Sequence, residues 1–335
     1  MMEELALADL ETAAGRVARR MAPTPQIAWP GLSTRAECEV WVKHEALNPA
    51  GTYKLRGALN YVGLLRERRP CMRTVVTATP DGDCDHGYAV ALAARLAGMS
   101  PKVVVPVGTA PEQLAALRAL GPTVEGIEAG ANAAATTEEA LVLAATRNYH
   151  VVPPFHRWLV QGAATGGLEM LRAVADLEAV FVPLGAGVGL CGMIAARDAL
   201  GLGTRIIGVV PEHRPDYALS FRAGRNVSAS PSADIDEAAL EKILDGAADV
   251  VTVTKEKTLA AMGYYLRDTH SLADPAAAAA LAALLERKDD FAGKRVGVVL
   301  SGSRVDAETL RSVVVMTLPA CGPVSSATAR SARRP

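Results

Sequence analysis

Four short stretches of this 335-residue chain carry side chains able to do chemistry. The densest is "DGDCDHG", Asp81 to Gly87, where three carboxylates, a thiol and an imidazole crowd together ahead of an Ala/Leu-rich helical pattern. Such a set could bind a metal or handle protons. Adjacent ligands on one helix-start loop rarely converge on a single ion without help from elsewhere. We therefore expect no metal, and read the loop as one that meets a substrate. The second stretch is "NPAGTYKLRGA", which places Lys54 between a Pro/Gly turn and a small-residue helix start. Standing alone it is most simply a solvated lysine on a surface helix. A partly desolvated amine would instead be a nucleophile able to form a Schiff base.

The third stretch is "VFVPLGAGVGLCGM", a strand, a glycine-rich turn and a helix start. Successive N–H groups of such a turn, with the helix N-terminus behind them, make a cradle for an anion. By itself G-x-G-x-G is weak and could open a dinucleotide fold. Its place in mid-chain argues against that, as does the absence of an acidic residue at the end of the next strand, "RIIGVV". The fourth is Ser301-Gly302, which ends the apolar run "KRVGVVLS", a place where serine is common in any turn.

Those residues need a scaffold, and the chain supplies a regular one. β-Branched runs at 39–45, 73–79, 102–107, 179–184, 204–210, 249–254 and 294–301 alternate with helical patterns at 87–98, 111–120, 134–147, 162–176, 190–200, 256–268 and 275–287. The alternation predicts an α/β protein of mainly parallel sheets with right-handed crossovers. Ligands in such sheets lie where loops leave the carboxyl ends of strands. The loops 80–87, 185–189 and 301–304 do so with unusual residues. A further amphipathic helix is expected at the N-terminus, acidic early and basic late. The Ser/Ala/Arg-rich tail 319–335 has no periodicity, so we expect disorder there.

Composition narrows the class. Half the residues are hydrophobic but only 4% are aromatic, which suits buried parallel strands under Ala/Leu helices. A formal net charge of −1 offers no basic field for nucleic acid or an acidic membrane. The five cysteines are an odd number with no CxxC pair, so neither a disulfide framework nor a zinc knuckle is indicated. No apolar run is long enough to span a bilayer, and the start lacks the pattern of a signal peptide. A cytoplasmic protein handling a small molecule is the expectation.

"VKHEALNPAGTYKLRGA" resembles the lysine segment K-x-E-x-x-x-P-T-G-S-F-K-x-R-G-A of fold-type II pyridoxal-phosphate enzymes, the tryptophan-synthase-β-like superfamily. The likeness runs from "APTPQIAWPGLS" (22–33) to "VVLSGSRVD" (298–306), and is nearest to the threonine/serine dehydratases, with features of the 2,3-diaminopropionate ammonia-lyases. It implies pyridoxal 5'-phosphate as cofactor, bound through Lys54, with Tyr53 beside its ring. It implies that Gly185, Ala186, Gly187, Val188 and Gly189 cradle the phosphate and that the Ser301 hydroxyl meets the pyridine nitrogen. A neutral partner there makes a milder electron sink than an aspartate would, favouring elimination or β-replacement over transamination. "DCDHG" falls where the ammonia-lyases carry D-G-N-H-G, so Asp83 would be an acid/base near the reacting carbon, with Cys84 and His86 at the substrate.

Two departures stand out. Asp85 replaces an Asn that donates to the cofactor's phenolic oxygen, and an ionised carboxylate cannot donate. Ser301-Gly302-Ser303-Arg304 replaces S-G-G-N, putting Arg304 where an Asn is usual. Thr165 and Glu169 match a helix pattern of the family and are expected to pack and cap. The resemblance implies two domains, 1–71 plus 148–318 and 72–147, a homodimer, and a lyase releasing ammonia from a small β-hydroxy or β-amino amino acid. A β-replacement synthase, or a relative without catalysis, is the competing expectation.

Overall fold

The computed structural model of the protein describes residues 4–79, 84–227 and 235–317. Among them ten strands form: β1 (Gln26–Ala28), β2 (Glu39–His44), β3 (Thr74–Ala78), β4 (Ser100–Val105), β5 (Glu125–Glu128), β6 (His150–Val151), β7 (Ala179–Pro183), β8 (Arg205–Pro211), β9 (Asp249–Val253) and β10 (Arg295–Leu300). They make two sheets, in the orders β1-β2-β10-β7-β8-β9 and β5-β4-β3-β6. Every pairing is parallel except β1 with β2. The protein is thus α/β, two mainly parallel sheets flanked by helices.

Burial explains why the strand runs read as they do. β7 is "AVFVP", buried at its first four residues because helices cover both faces of the larger sheet. One face takes the helix Pro275–Glu286, whose Ala277 to Leu284 are all buried. Its alanines leave little bulk between its backbone and the sheet. The other face takes the helices Arg157–Ala173 and Val188–Ala199. Against the first of these lies the helix that begins at Lys54, Lys54–Arg68. The two approach closely because glycines face each other at the crossing. A Cβ on Gly162 would stand 2.4 Å from the carbonyl oxygen of Arg56, and one on Gly57 would stand 2.9 Å from that of Leu159. A side chain at either would push the lysine helix off its seat.

Three strands were not legible. β1, β5 and β6 are two to four residues long, and β5 reads "EGIE". They exist through pairing with β2, β4 and β3, not through their own pattern. β6 extends the stretch of chain that serves the smaller sheet past residue 147. The tail 319–335 lies outside the described residues. Among the described residues no helix is long and apolar enough to cross a membrane.

Candidate active site

The lysine segment is fixed by its own turn and by the end of β10. Asn48 organises the turn: its amide nitrogen donates to the carbonyls of Glu45 (2.6 Å) and Thr52 (3.0 Å), and its oxygen accepts from the Ala50 N–H (2.8 Å). Gly51 sits at φ +67°, a conformation that favours glycine. The chain then runs antiparallel to the residues after β10. Thr52 bridges to Gly302, and the Tyr53 N–H donates to the Ser301 carbonyl at 2.8 Å. Lys54, half-buried, therefore opens its helix one residue beyond a backbone contact with Ser301.

The glycine turn follows β7. Gly187 is at φ +91° and precedes the helix Val188–Ala199 without a capping side chain, leaving first-turn N–H groups for another partner. Gly185 and Ala186 are exposed, and a Cβ on Gly185 would meet nothing within 4 Å. Gly189 is covered by the Tyr53 ring, whose Cε2 would lie 3.0 Å from a Cβ there. Tyr53, Gly189 and Ser301 line one cavity together with Lys43, Glu45 and Met193. The residue before the lysine, the glycine turn and the terminal serine, read separately along the chain, thus meet at one place.

Behind that cavity is an ion network the motifs did not reveal. Arg56, 1% exposed, donates to Glu45 (2.7 Å), Thr165 (3.1 Å), Thr24 (3.0 Å) and both oxygens of Glu169 (2.7 Å each). Lys43, fully buried, donates to Glu169 (2.6 Å), to the Thr24 carbonyl (2.8 Å) and to Gln26 (3.1 Å). Two cations and two carboxylates cancel. Burial alone would raise the Glu169 carboxyl, but hydrogen bonds and charge from Arg56 and Lys43 outweigh it and hold the group below its ordinary range. Burial lowers the Lys43 ammonium, against the pull of Glu45 and Glu169. Thr165 and Glu169, expected to pack and cap, are members of this network. A signal was present: Lys43 and Glu45 stand two residues apart just after the apolar run Val40–Val42, and Thr165 and Glu169 share one helix face.

The acidic loop is only partly described. Asp81 and Asp83, the latter our candidate acid/base, lie outside the described residues. Cys84 precedes the helix Asp85–Leu96, and its buried thiol is directed to Gln113 (3.4 Å) and Thr79 (4.0 Å), within the part of the chain that carries the smaller sheet. His86 follows in the first turn of that helix, half-buried. Asp85 is 4% exposed, and its Oδ1 lies 2.9 Å from the Arg304 Nε. The atoms are off-line for a hydrogen bond, so the contact is an ion pair. A Cβ on Gly302 would be 3.5 Å from the Asp85 Oδ2, so the carboxylate stands beside the residue that follows Ser301.

With this geometry in hand, comparison with known proteins is decisive. The family described as pyridoxal-phosphate dependent enzyme matches residues 17–302. The chain belongs to that family. Its cofactor is pyridoxal 5'-phosphate. Among curated relatives, the L-threo-3-hydroxyaspartate ammonia-lyase of Saccharomyces cerevisiae is 27% identical over 91% of this chain and 95% of its own length. The L-threonine ammonia-lyase of Geobacter sulfurreducens is 31% identical over 93% of this chain and 79% of its own. Among solved structures, a pyridoxal 5'-phosphate-dependent aspartate racemase superposes with a TM-score of 0.84 at 26% identity, covering 91% of this chain and 97% of that one.

The residues present fit the cofactor. An uncapped helix start with open space over Gly185 suits a phosphate, an aromatic ring stands at Gly189, and a buried serine lines the cavity beyond it.

Proposed function

We propose that this protein is a pyridoxal-phosphate-dependent ammonia-lyase acting on a small β-hydroxy or β-amino amino acid, in the class of threonine, serine, 3-hydroxyaspartate or diaminopropionate. The observation that carries the reading is the shared cavity of Tyr53, Gly189 and Ser301 with Lys54 next in the chain, in a protein whose ammonia-lyase relatives match it over nearly its whole length. Bound pyridoxal phosphate supplies an electron sink that acidifies the α-proton of an attached amino acid.

The chain's own residues would do the rest. The Lys54 amine would hold the cofactor and would take the substrate's α-proton. Backbone N–H groups from Gly185 to Gly189 hold the phosphate, Tyr53 supports the ring, and the Ser301 hydroxyl holds the pyridine nitrogen without a formal charge. Asp83 assists departure of the β-group, with Cys84 and His86 around the substrate. Asp85 lies at the edge of this pocket. Division into two domains, with the smaller one running from residue 72 past 147 to take in β6 and the site between the two, belongs to the same proposal. So do a homodimeric assembly and a cytoplasmic setting; Cys38, Cys71, Cys84 and Cys191, none of them in a disulfide, support the latter.

Two measurements test it. The purified holoenzyme is expected to be yellow, and borohydride should fix the colour to Lys54, read by peptide mass spectrometry. Incubation with threonine, serine, 3-hydroxyaspartate and diaminopropionate should release a keto acid and ammonia, trapped with a hydrazine reagent. Label on another lysine, or no keto acid from any of the four, refutes the assignment. Product formed only when a second nucleophile is added would transfer it to β-replacement.

A further inference from the structure

Among the described residues, the charged side chains that line the cavity of Tyr53, Gly189 and Ser301 are Lys43 and Glu45. Strand register places them there. Lys43 is level with Val299 and His44 with Leu300 in the pairing of β2 with β10, and the Ala46 N–H donates to the Leu300 carbonyl at 3.1 Å. Glu45 therefore comes alongside Ser301. The three N–H donors of Lys43 have three acceptors within 3.1 Å, in Glu169, Gln26 and the Thr24 carbonyl. No donor is left over to bind or attack a ligand, so what Lys43 offers the cavity is charge. Glu45 is engaged in the same way, accepting from the Thr24 hydroxyl and from Arg56, each at 2.7 Å. With Arg56 and Glu169 behind them, a bound ring faces a floor whose charges sum to zero.

We propose that Lys43 acts on the cofactor through charge: by completing this neutral floor it keeps the ring nitrogen met by the Ser301 hydroxyl unprotonated. A serine hydroxyl fits that nitrogen in either state, donating to the bare atom or accepting from the protonated one, so Ser301 alone does not decide. The surrounding charge does, because a surplus carboxylate favours the protonated ring and a surplus cation opposes it. The protonated ring is the stronger electron sink and would open chemistry beyond elimination. Other charges stand on the outer side of Ser301, where the Asp274 and Asp85 carboxylates flank Gly302 and Arg304 pairs with Asp85. They are the same in every variant below. His44, on the opposite face of β2, stays neutral above about pH 4. The inference rests on the Proposed function's placing of the cofactor at Ser301. It is read on the resting holoenzyme without substrate, so a failed lyase assay leaves it standing and its own failure leaves that assay intact.

Holoenzyme reconstituted with pyridoxal phosphate carrying a nitrogen-15 ring label is followed by NMR across the neutral pH range, where the label's shift reports its protonation. Lys43→Met leaves one carboxylate uncompensated and should raise the ratio of protonated to bare nitrogen about tenfold at a given pH. Glu169→Gln leaves one cation uncompensated and should give no rise. The double variant is neutral again and should return to the parent's ratio, although it has lost the contacts of both side chains. A purely structural role predicts the opposite, two defects that accumulate. If Lys43→Met does not fold, Gln26→Glu replaces it. That change is isosteric, puts the new charge on the side chain already 3.1 Å from the ammonium, and should raise the ratio in a way that Glu169→Gln reverses. A parent-like ratio when the floor carries the extra negative charge, or a double variant further from the parent than either single one, overturns the proposal.

Discussion

The floor and the rim of the cavity are held by charge in different ways. The floor, Lys43, Glu45, Arg56 and Glu169, is a closed set in which each buried ion has at least two partners, so no single contact sets the geometry. At the rim, the Asp85–Arg304 pair joins elements of the two sheets, with a third of the arginine in water. An over-determined buried network fixes a backbone, while a partly exposed pair leaves the element it holds closer to release.

That contrast can be broken most forcefully at the floor. Glu45→Ala should leave Arg56 and Lys43 buried with one carboxylate between them, costing about 3–5 kcal/mol of stability by denaturant unfolding. A loss below about 1 kcal/mol would mean water enters and the floor is no more rigid than the rim. Next in size is a pH effect on the other side of the same strand. Burial, with the charge of Lys43, lowers His44 from 6.5 to about 4, while Trp29 donates to its Nε2 at 3.0 Å. The folded protein keeps this imidazole neutral where the unfolded chain takes up a proton. The unfolded state thus binds more protons between pH 6.5 and 4, and stability should fall as pH drops through that window, by roughly 3 kcal/mol in all. His44→Gln should flatten this part of the melting-temperature profile; an unchanged slope would assign the acid sensitivity to other groups.

Smaller effects sharpen the comparison. Gly189→Ala puts a methyl 3.0 Å from the Tyr53 ring, which must shift, costing about 1 kcal/mol and weakening cofactor binding several-fold in a spectral titration. Equal affinity would show that the ring moves freely. The least is expected at Tyr88→Leu, which removes the face beneath Arg304 and should cost about 0.5–1 kcal/mol in thermal melting. Combined with Arg304→Asn it should cost nothing more.

Much of the scaffold was legible because buried parallel strands announce themselves as Val/Ile runs. All seven anticipated strands form, with ends within two residues of the expected ones, from 39–45 found as Glu39–His44 to 294–301 found as Arg295–Leu300. β1, β5 and β6 were not legible, since their few residues become strands only beside a partner. At the site, Lys54, the glycine turn and Ser301 were each visible as motifs. The ion network was visible only as letters of a pattern, without its contacts.

What the sequence determined by itself is whatever depends on local pattern: the strand and helix alternation, the glycine turn ahead of a helix, and a lysine segment similar enough to known ones to imply its cofactor. Only the tertiary structure decided which distant charges meet. Arg56 with Glu169 and Asp85 with Arg304 are separated by more than a hundred residues, and nothing along the chain pairs them. The reason is physical. Local pattern is written by backbone propensity and burial over a few residues, whereas a charge finds its partner only when close-packed elements leave it no water to turn to.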